Sequence, residues 1–242
     1  MSFEHYSRTF LHFHTAEIPD LLRGQLQGAR HFRLADLGAG DGALLVALRL
    51  NGLLEHADEV VAVDLSSERC ERLRQYTDFK VICSDVTAIP ELASGAFDYI
   101  VCTQVIEHVD ESRLLGELMR LLKPGGVLYI ASVVKKWYGW WYYRTADGKW
   151  AVDPTHLREY RSPEEYERVI AAAGFGIIET RLSPLKLSVV EFLLRRIITP
   201  LFNPKDINGF FLRHRFADVL RRAVKIQPPG YYIVETIARK PK

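Results

Sequence analysis

Residues 32–42 (FRLADLGAGDG) constrain the fold of this chain more than any other stretch. The apolar run Phe32–Leu37 reads as a buried strand, Gly38–Gly42 as a tight turn, and Ala43–Leu50 as a helix. Strand, glycine turn and helix in that order open a nucleotide-binding βαβ unit. Glycine lets the backbone turn sharply and approach a ligand where a side chain would collide. The spacing satisfies G-x-G-x-x-G/A, with Ala43 at the third small position. On its own the turn suits a dinucleotide as well as any other nucleoside cofactor.

The same pattern continues downstream. Glu59–Asp64, Phe79–Asp85, Phe97–Thr103 and Val127–Val133 are short apolar runs, and the first two end in an acid. Helical stretches separate them: one is capped by Ser66 or Ser67, another stops at Lys123-Pro124-Gly125-Gly126. Alternation of this kind predicts an α/β fold, a doubly wound Rossmann-like sheet. Ligands of such sheets sit at the carboxyl ends of the strands. Asp36–Gly42, Asp64, Asp85 and Gln104–His108 are therefore expected around one crevice.

Past Val134 the alternation breaks. Trp137–Tyr143 is a dense aromatic run. Ser162-Pro163 opens a helix that Gly174 closes, and Phe175–Glu179 can be a strand. Apolar residues recur at helical spacing from Leu187 to Phe202, and again around Phe216–Val224 with arginines between them. Tyr231–Arg239 reads as a final strand. One domain is expected over 1–242: N-terminal helices in 1–31, a cofactor-binding core in 32–134, an acceptor-binding lid in 135–230, and the last strand at 231–239.

With 48% hydrophobic residues the chain can fill a core. Its net charge of +2 argues against a nucleic-acid binder. The charge is uneven, because residues 181–225 carry ten Lys/Arg against three Asp/Glu. That segment hints at an anionic partner or a solvated helix face, and peripheral membrane contact by its basic helices is one expectation. Cys83 and Cys102 lie in strand-like runs, which fits buried, reduced thiols and a cytoplasmic setting. No signal peptide or membrane span is read. His5, His12 and His14 lack metal spacing and read as surface or packing residues.

Acids at three successive strand ends suit a ligand rich in hydroxyls and amines. Asp64 can accept both hydroxyls of a ribose, and Asp85 an exocyclic amine. Asp36, just before the turn, would oppose a pyrophosphate but answer a cationic amine. A phosphate-free nucleoside with a charged amino-acid tail fits all three, namely S-adenosylmethionine.

These residues carry a resemblance to the class I S-adenosylmethionine-dependent methyltransferases. It runs through LADLGAGDG (34–42), VAVD (61–64), Ser84-Asp85, FDYIVCTQVIEHV (97–109) and LLKPGGVLYI (121–130). HLREY (156–160) and SPEEYERVIAAAGF (162–175) extend it. It implies a seven-stranded sheet whose last strand is antiparallel. It also implies that Gly38, Ala39, Gly40 and Gly42 line the methionine portion, with Asp36 near the amino group. Asp64 and Leu65 would meet the ribose, Asp85 and Val86 the adenine, and Gln104 the methyl-bearing end. The core motifs are similar to those of ubiquinone- and menaquinone-pathway methyltransferases, some of which hold a divalent cation with acids and a histidine. Gln104 stands where that pattern wants an acid, so no metal is expected.

Methyl transfer to a hydroxyl or amine needs its proton removed by a base within reach. His108 and His156 are the candidates, and the alternative for each is a buried, hydrogen-bonded histidine. The aromatic run points to a small-molecule acceptor with an aromatic, lipid or glycosyl part. A monomer or homodimer is expected. Two other readings stand beside this one: an NAD-dependent oxidoreductase or epimerase, disfavoured by Asp36, and a non-catalytic cofactor-binding module.

Overall fold

A computed structural model describes residues 12–140, 143–144, 149–153, 155–194 and 207–242. The first part of the chain alternates as expected: α1 (Asp20–Leu26), β1 (Phe32–Leu37), α2 (Ala43–Leu50), β2 (Ala57–Asp64), α3 (Ser67–Tyr76), β3 (Lys80–Cys83), β4 (Phe97–Thr103), α4 (Glu111–Leu121) and β5 (Leu122–Lys135). Two short strands follow, β6 (Tyr143–Arg144) and β7 (Trp150–Ala151), then α5 (Pro163–Ala172) and β8 (Gly176–Pro184). The C-terminal part holds β9 (Leu187–Ser188), α6 (Val189–Leu193), α7 (Ile207–Arg213), α8 (Arg215–Ala223), β10 (Lys225–Ile226) and β11 (Tyr231–Arg239).

The main sheet has seven strands in the order β3-β2-β1-β4-β5-β11-β8. β1 to β5 pair in parallel, and β11 enters antiparallel between β5 and β8. The order reverses at β1, whose two neighbours are β2 and β4, so a crevice opens above its carboxyl end. Side chains alternate along β1. Leu34 packs into one apolar layer with Leu22, Leu45 and Leu48, while Ala35 and Leu37 join the other with Ile100, Leu118 and Ile170. Both faces are thus covered by helices, and each fully buried leucine contributes roughly 1.5–3 kcal/mol.

Caps set the helix starts. Ser66 accepts the Arg69 amide at 3.3 Å, so it rather than Ser67 begins α3. Ser162 caps α5 with Pro163 in its first turn. β5 starts directly at Leu122, several residues before the predicted Val127.

Two expectations need correction. Cys83 is exposed, because β3 is an edge strand and Cys83 points to the side away from Ile82, whereas Cys70 and Cys102 are buried. The helix read from Leu187 starts only at Val189: Ser188 caps it, and Leu187–Ser188 pair with Lys225–Ile226. Its remainder, 195–202, lies outside the described residues, as do Trp141, Tyr142 and residues 1–11.

In α8 the side chain of Arg215 lies outside the described residues, and Arg221 and Arg222 are held in ion pairs. Arg221 is 1% exposed. It pairs with Glu191 and Asp218 and donates to the His14 carbonyl at 2.6 Å. Arg222 reaches Asp218 and Glu17. The outward stripe is Phe216, Val219, Leu220 and Val224. Trp137 and Trp140 of the aromatic run are exposed.

Candidate cofactor and proton-transfer site

The glycine turn is held against β2. Gly38 and Ala39 both donate to the Val63 carbonyl, at 2.8 and 2.9 Å. Gly38 has φ +82°, and a Cβ there would lie 2.2 Å from Val105 Cγ2. Glycine is thus required by both conformation and space. Gly42, at φ +79°, begins α2 and aims that helix's N-terminus at the crevice.

Asp64 ends β2 and ties the turn to it. Its Oδ2 accepts the Gly40 amide at 2.8 Å and its Oδ1 the Ser66 amide at 2.9 Å. A carboxylate has about four lone-pair sites, so capacity remains for a ligand's hydroxyls. Leu65 follows at the exposed rim. Asp36 is the next-to-last residue of β1 and is 1% exposed. Its Oδ1 has no hydrogen-bond partner among the described residues. Burial, reinforced by the neighbouring Asp64 charge, pushes its pKa up to about 7.

Asp85 is exposed, with its Oδ1 accepting the Thr87 amide at 2.8 Å, and Val86 is buried beside it. Glu117 on α4 anchors that loop by accepting the Ile89 amide at 2.8 Å, and Arg120 holds the Ile89 and Leu92 carbonyls. Gln104 follows β4 at φ +56° and donates its amide to the Ala131 carbonyl at 2.9 Å. A left-handed glutamine is uncommon, and such conformations concentrate where function demands them.

A second cluster lies just beyond Gln104. Glu107 is fully buried, with Oε2 accepting from the Ser132 hydroxyl at 2.9 Å and Oε1 without a partner among the described residues. Burial pushes its pKa up to about 7. The rings of His108 and His156 meet edge to face at 4.7 Å. Glu107, His108 and His156 each bring one nitrogen or oxygen within 4.8 Å of the others.

The two imidazoles are driven apart. Burial and then the His156 charge lower His108 to about 4. Burial also opposes charge on His156, but Glu159, bonded at 3.2 Å, together with Glu107 and Asp153, overcomes it and raises the pKa. At neutral pH His108 therefore carries a free lone pair, with its basicity lowered, while the raised pKa of His156 favours its charged form.

The N-terminal segment lies across the turn. The His12 amide donates to Asp41 Oδ2 at 2.7 Å, His14 Nε2 bonds the Asp41 carbonyl at 2.8 Å, and Arg72 holds Asp41 Oδ1 at 2.6 Å. Asn208 on α7 accepts the His14 amide at 3.0 Å and donates to the His12 carbonyl at 3.1 Å. This strap links the glycine turn to the C-terminal helices.

The fold therefore brings Asp36, Gly38–Gly42, Asp64, Leu65, Asp85, Val86, Gln104, His108 and His156 to the carboxyl edge of one sheet. Sequence reasoning assigned no role to Glu107, Asp41, Thr155 or Asn208. Only Glu107 carried a signal, its place beside His108 in the motif.

Comparison with known proteins agrees with this geometry. Residues 35–130 match the family described as "Methyltransferase domain". A malonyl-[acyl-carrier protein] O-methyltransferase of Enterobacter lignolyticus is 36% identical over 116 residues, 47% of this chain and 44% of that protein. A ubiquinone biosynthesis O-methyltransferase of Xanthomonas oryzae pv. oryzae is 32% identical over 117 residues, 46% of each. The chain spans about half the length of these curated relatives.

Among solved structures, a putative methyltransferase from Bacillus halodurans superposes with a TM-score of 0.62 at 16% identity, over 92% of this chain and 98% of that one. The [4+2]-cyclase SpnF superposes with a TM-score of 0.60 at 22% identity, over 92% and 79%. These two likenesses concern the fold, which also serves a cyclase, so activity is argued from the site. Residues 35–130 thus resemble the methyltransferase-domain family in sequence, and the solved structures agree with this chain in fold.

Proposed function

We propose that the chain transfers the methyl group of S-adenosylmethionine to a small-molecule acceptor, with a hydroxyl as the favoured target and an amine as the other. The observation that carries this reading is Asp36: a carboxyl 1% exposed, with an oxygen lacking a partner among the described residues, at the mouth of a glycine turn. A cationic amine is the group such an oxygen lacks, and a pyrophosphate is the group it repels. The chain's residues thus fit the cofactor. The Gly38–Gly42 backbone and Asp36 would hold its amino-acid end, Asp64 and Leu65 its ribose, and Asp85 and Val86 its adenine, with Gln104 near the sulfur.

When bound, S-adenosylmethionine supplies a methyl group on a sulfonium that departs without acid assistance. The remaining work is alignment and proton removal. His108, kept neutral by burial, takes the acceptor's proton, and Glu107 and His156 keep the surrounding charge balanced. The exposed rings of Trp137 and Trp140 support an acceptor with an aromatic, lipid or glycosyl part. Arg221 and Arg222 are engaged in ion pairs within the chain, so these two do not offer their charge to a membrane surface. The unpaired cysteines suit a cytoplasmic setting.

Calorimetric titration tests the cofactor assignment. S-adenosylhomocysteine should bind and NAD should not, and the reverse would overturn the reading. No metal is needed at the Glu107–His108–His156 cluster, so methyl transfer in extract-derived acceptor assays should be unchanged by EDTA. A rate lost to the chelator and restored by one divalent cation would reassign these residues to coordination.

A further inference from the structure

His108 Nδ1 lies 2.9 Å from the Thr155 hydroxyl, and that hydroxyl lies 2.6 Å from Asp153 Oδ1. A hydroxyl has one proton to give. An ionised carboxylate can only accept, so the Thr155 proton goes to Asp153. Toward His108 the Thr155 oxygen is then left as an acceptor, which requires a proton on Nδ1. Asp153 is itself fixed, because the Thr155 amide donates to the same Oδ1 at 2.8 Å.

We propose that Thr155, oriented by Asp153, is a positioning residue that holds His108 in the tautomer with the proton on Nδ1 and the lone pair on Nε2. In this form the nitrogen left over is the one able to accept a proton from an acceptor. The proposal rests on the reading of His108 as the base, but the tautomer is a property of the resting protein and can be read without any acceptor. The charged and titratable groups around His108 are Glu107, Asp153, His156 and Arg69. None of them replaces the Thr155 oxygen at Nδ1 in the bonds described. Thr155 comes from the segment after β7, about 47 positions from His108 in the chain.

The test is nitrogen-15 NMR of histidine-labelled protein at neutral pH, with His108 assigned by its loss in His108→Gln. Wild-type His108 should show a protonated Nδ1 and an unprotonated Nε2. Thr155→Val, which keeps the shape and removes the hydroxyl, should move the ring toward the Nε2–H form. Where an acceptor is turned over, it should also cut kcat about tenfold while leaving S-adenosylhomocysteine affinity unchanged. Thr155→Ser should restore both the spectrum and the rate. A wild-type His108 protonated on Nε2, or a Thr155→Val protein with the wild-type spectrum, overturns the proposal. Failure of S-adenosylhomocysteine to bind would overturn the functional reading instead and leave the NMR result to stand by itself.

Discussion

Gly40 donates its amide to Asp64 Oδ2 at 2.8 Å, so the turn after the first strand is fastened to the acid that ends the second. The same carboxylate takes the Ser66 amide at 2.9 Å, where α3 begins. One side chain thus sets two backbone segments of the crevice at once. Asp64→Ala should leave both amides without an acceptor and cost roughly 3 kcal/mol, or about 6–12 °C in Tm. It should also weaken S-adenosylhomocysteine binding in calorimetry. An unchanged melting temperature would mean that water replaces the carboxylate.

Gly38 and Gly28 have nearly the same left-handed backbone, at φ +82° and +79°, but different surroundings. A Cβ on Gly38 would sit 2.2 Å from Val105 Cγ2, whereas nothing lies within 4 Å of one on Gly28. Gly28→Ala should cost only the conformational strain, about 1 kcal/mol. Gly38→Ala adds an overlap inside a packed core and should cost about 2–4 kcal/mol. Urea denaturation of the two variants measures the difference.

Asp36 should make cofactor binding depend on pH. Its ordinary pKa is 3.8, and the folded, unliganded protein raises it to about 7. The folded state therefore holds this proton more tightly than the unfolded chain, and unliganded stability should fall as pH rises from about 4 to 7. A bound ammonium group favours the ionised carboxylate, so S-adenosylhomocysteine should bind more tightly as pH rises toward 7. It should release a proton below that pH. Calorimetry in two buffers of different ionisation enthalpy reads the proton count, and Asp36→Asn should abolish it.

Asn208 secures the strap over the glycine turn through two opposed bonds, to the His14 amide and the His12 carbonyl. Asn208→Ala should loosen it by about 1–3 kcal/mol. Amide exchange at His14 should then speed up roughly ten- to a hundred-fold. Asn208→Asp keeps the acceptor for His14 and loses the donor to His12, so it should fall between the two. Equal exchange in all three proteins would show that Asp41 alone holds the strap.

The strand–turn–helix opening at Phe32–Gly42 and the alternation through β5 were legible in residue order, whereas the antiparallel direction of the last strand came only from the family resemblance. The first two depend on local features: apolar runs of strand length, glycines at turns, acids at strand ends, caps before helices. The pairing of β11 between β5 and β8 completed what those runs implied. The crevice acids could be named because topology places all parallel strand ends on one side.

Tertiary structure decided the rest. Two histidines 48 positions apart in sequence share one cluster, and burial and neighbouring carboxylates drive their protonation in opposite directions. No spacing rule carries that difference, because it arises from distances between segments remote in the chain. The same holds for α8: its periodicity predicted an amphipathic helix, but not that Arg221 and Arg222 would pair with Glu17, Glu191 and Asp218. Local sequence sets which faces a helix has. The direction each face points is settled by which buried charges must find partners, and that is a property of the assembled fold.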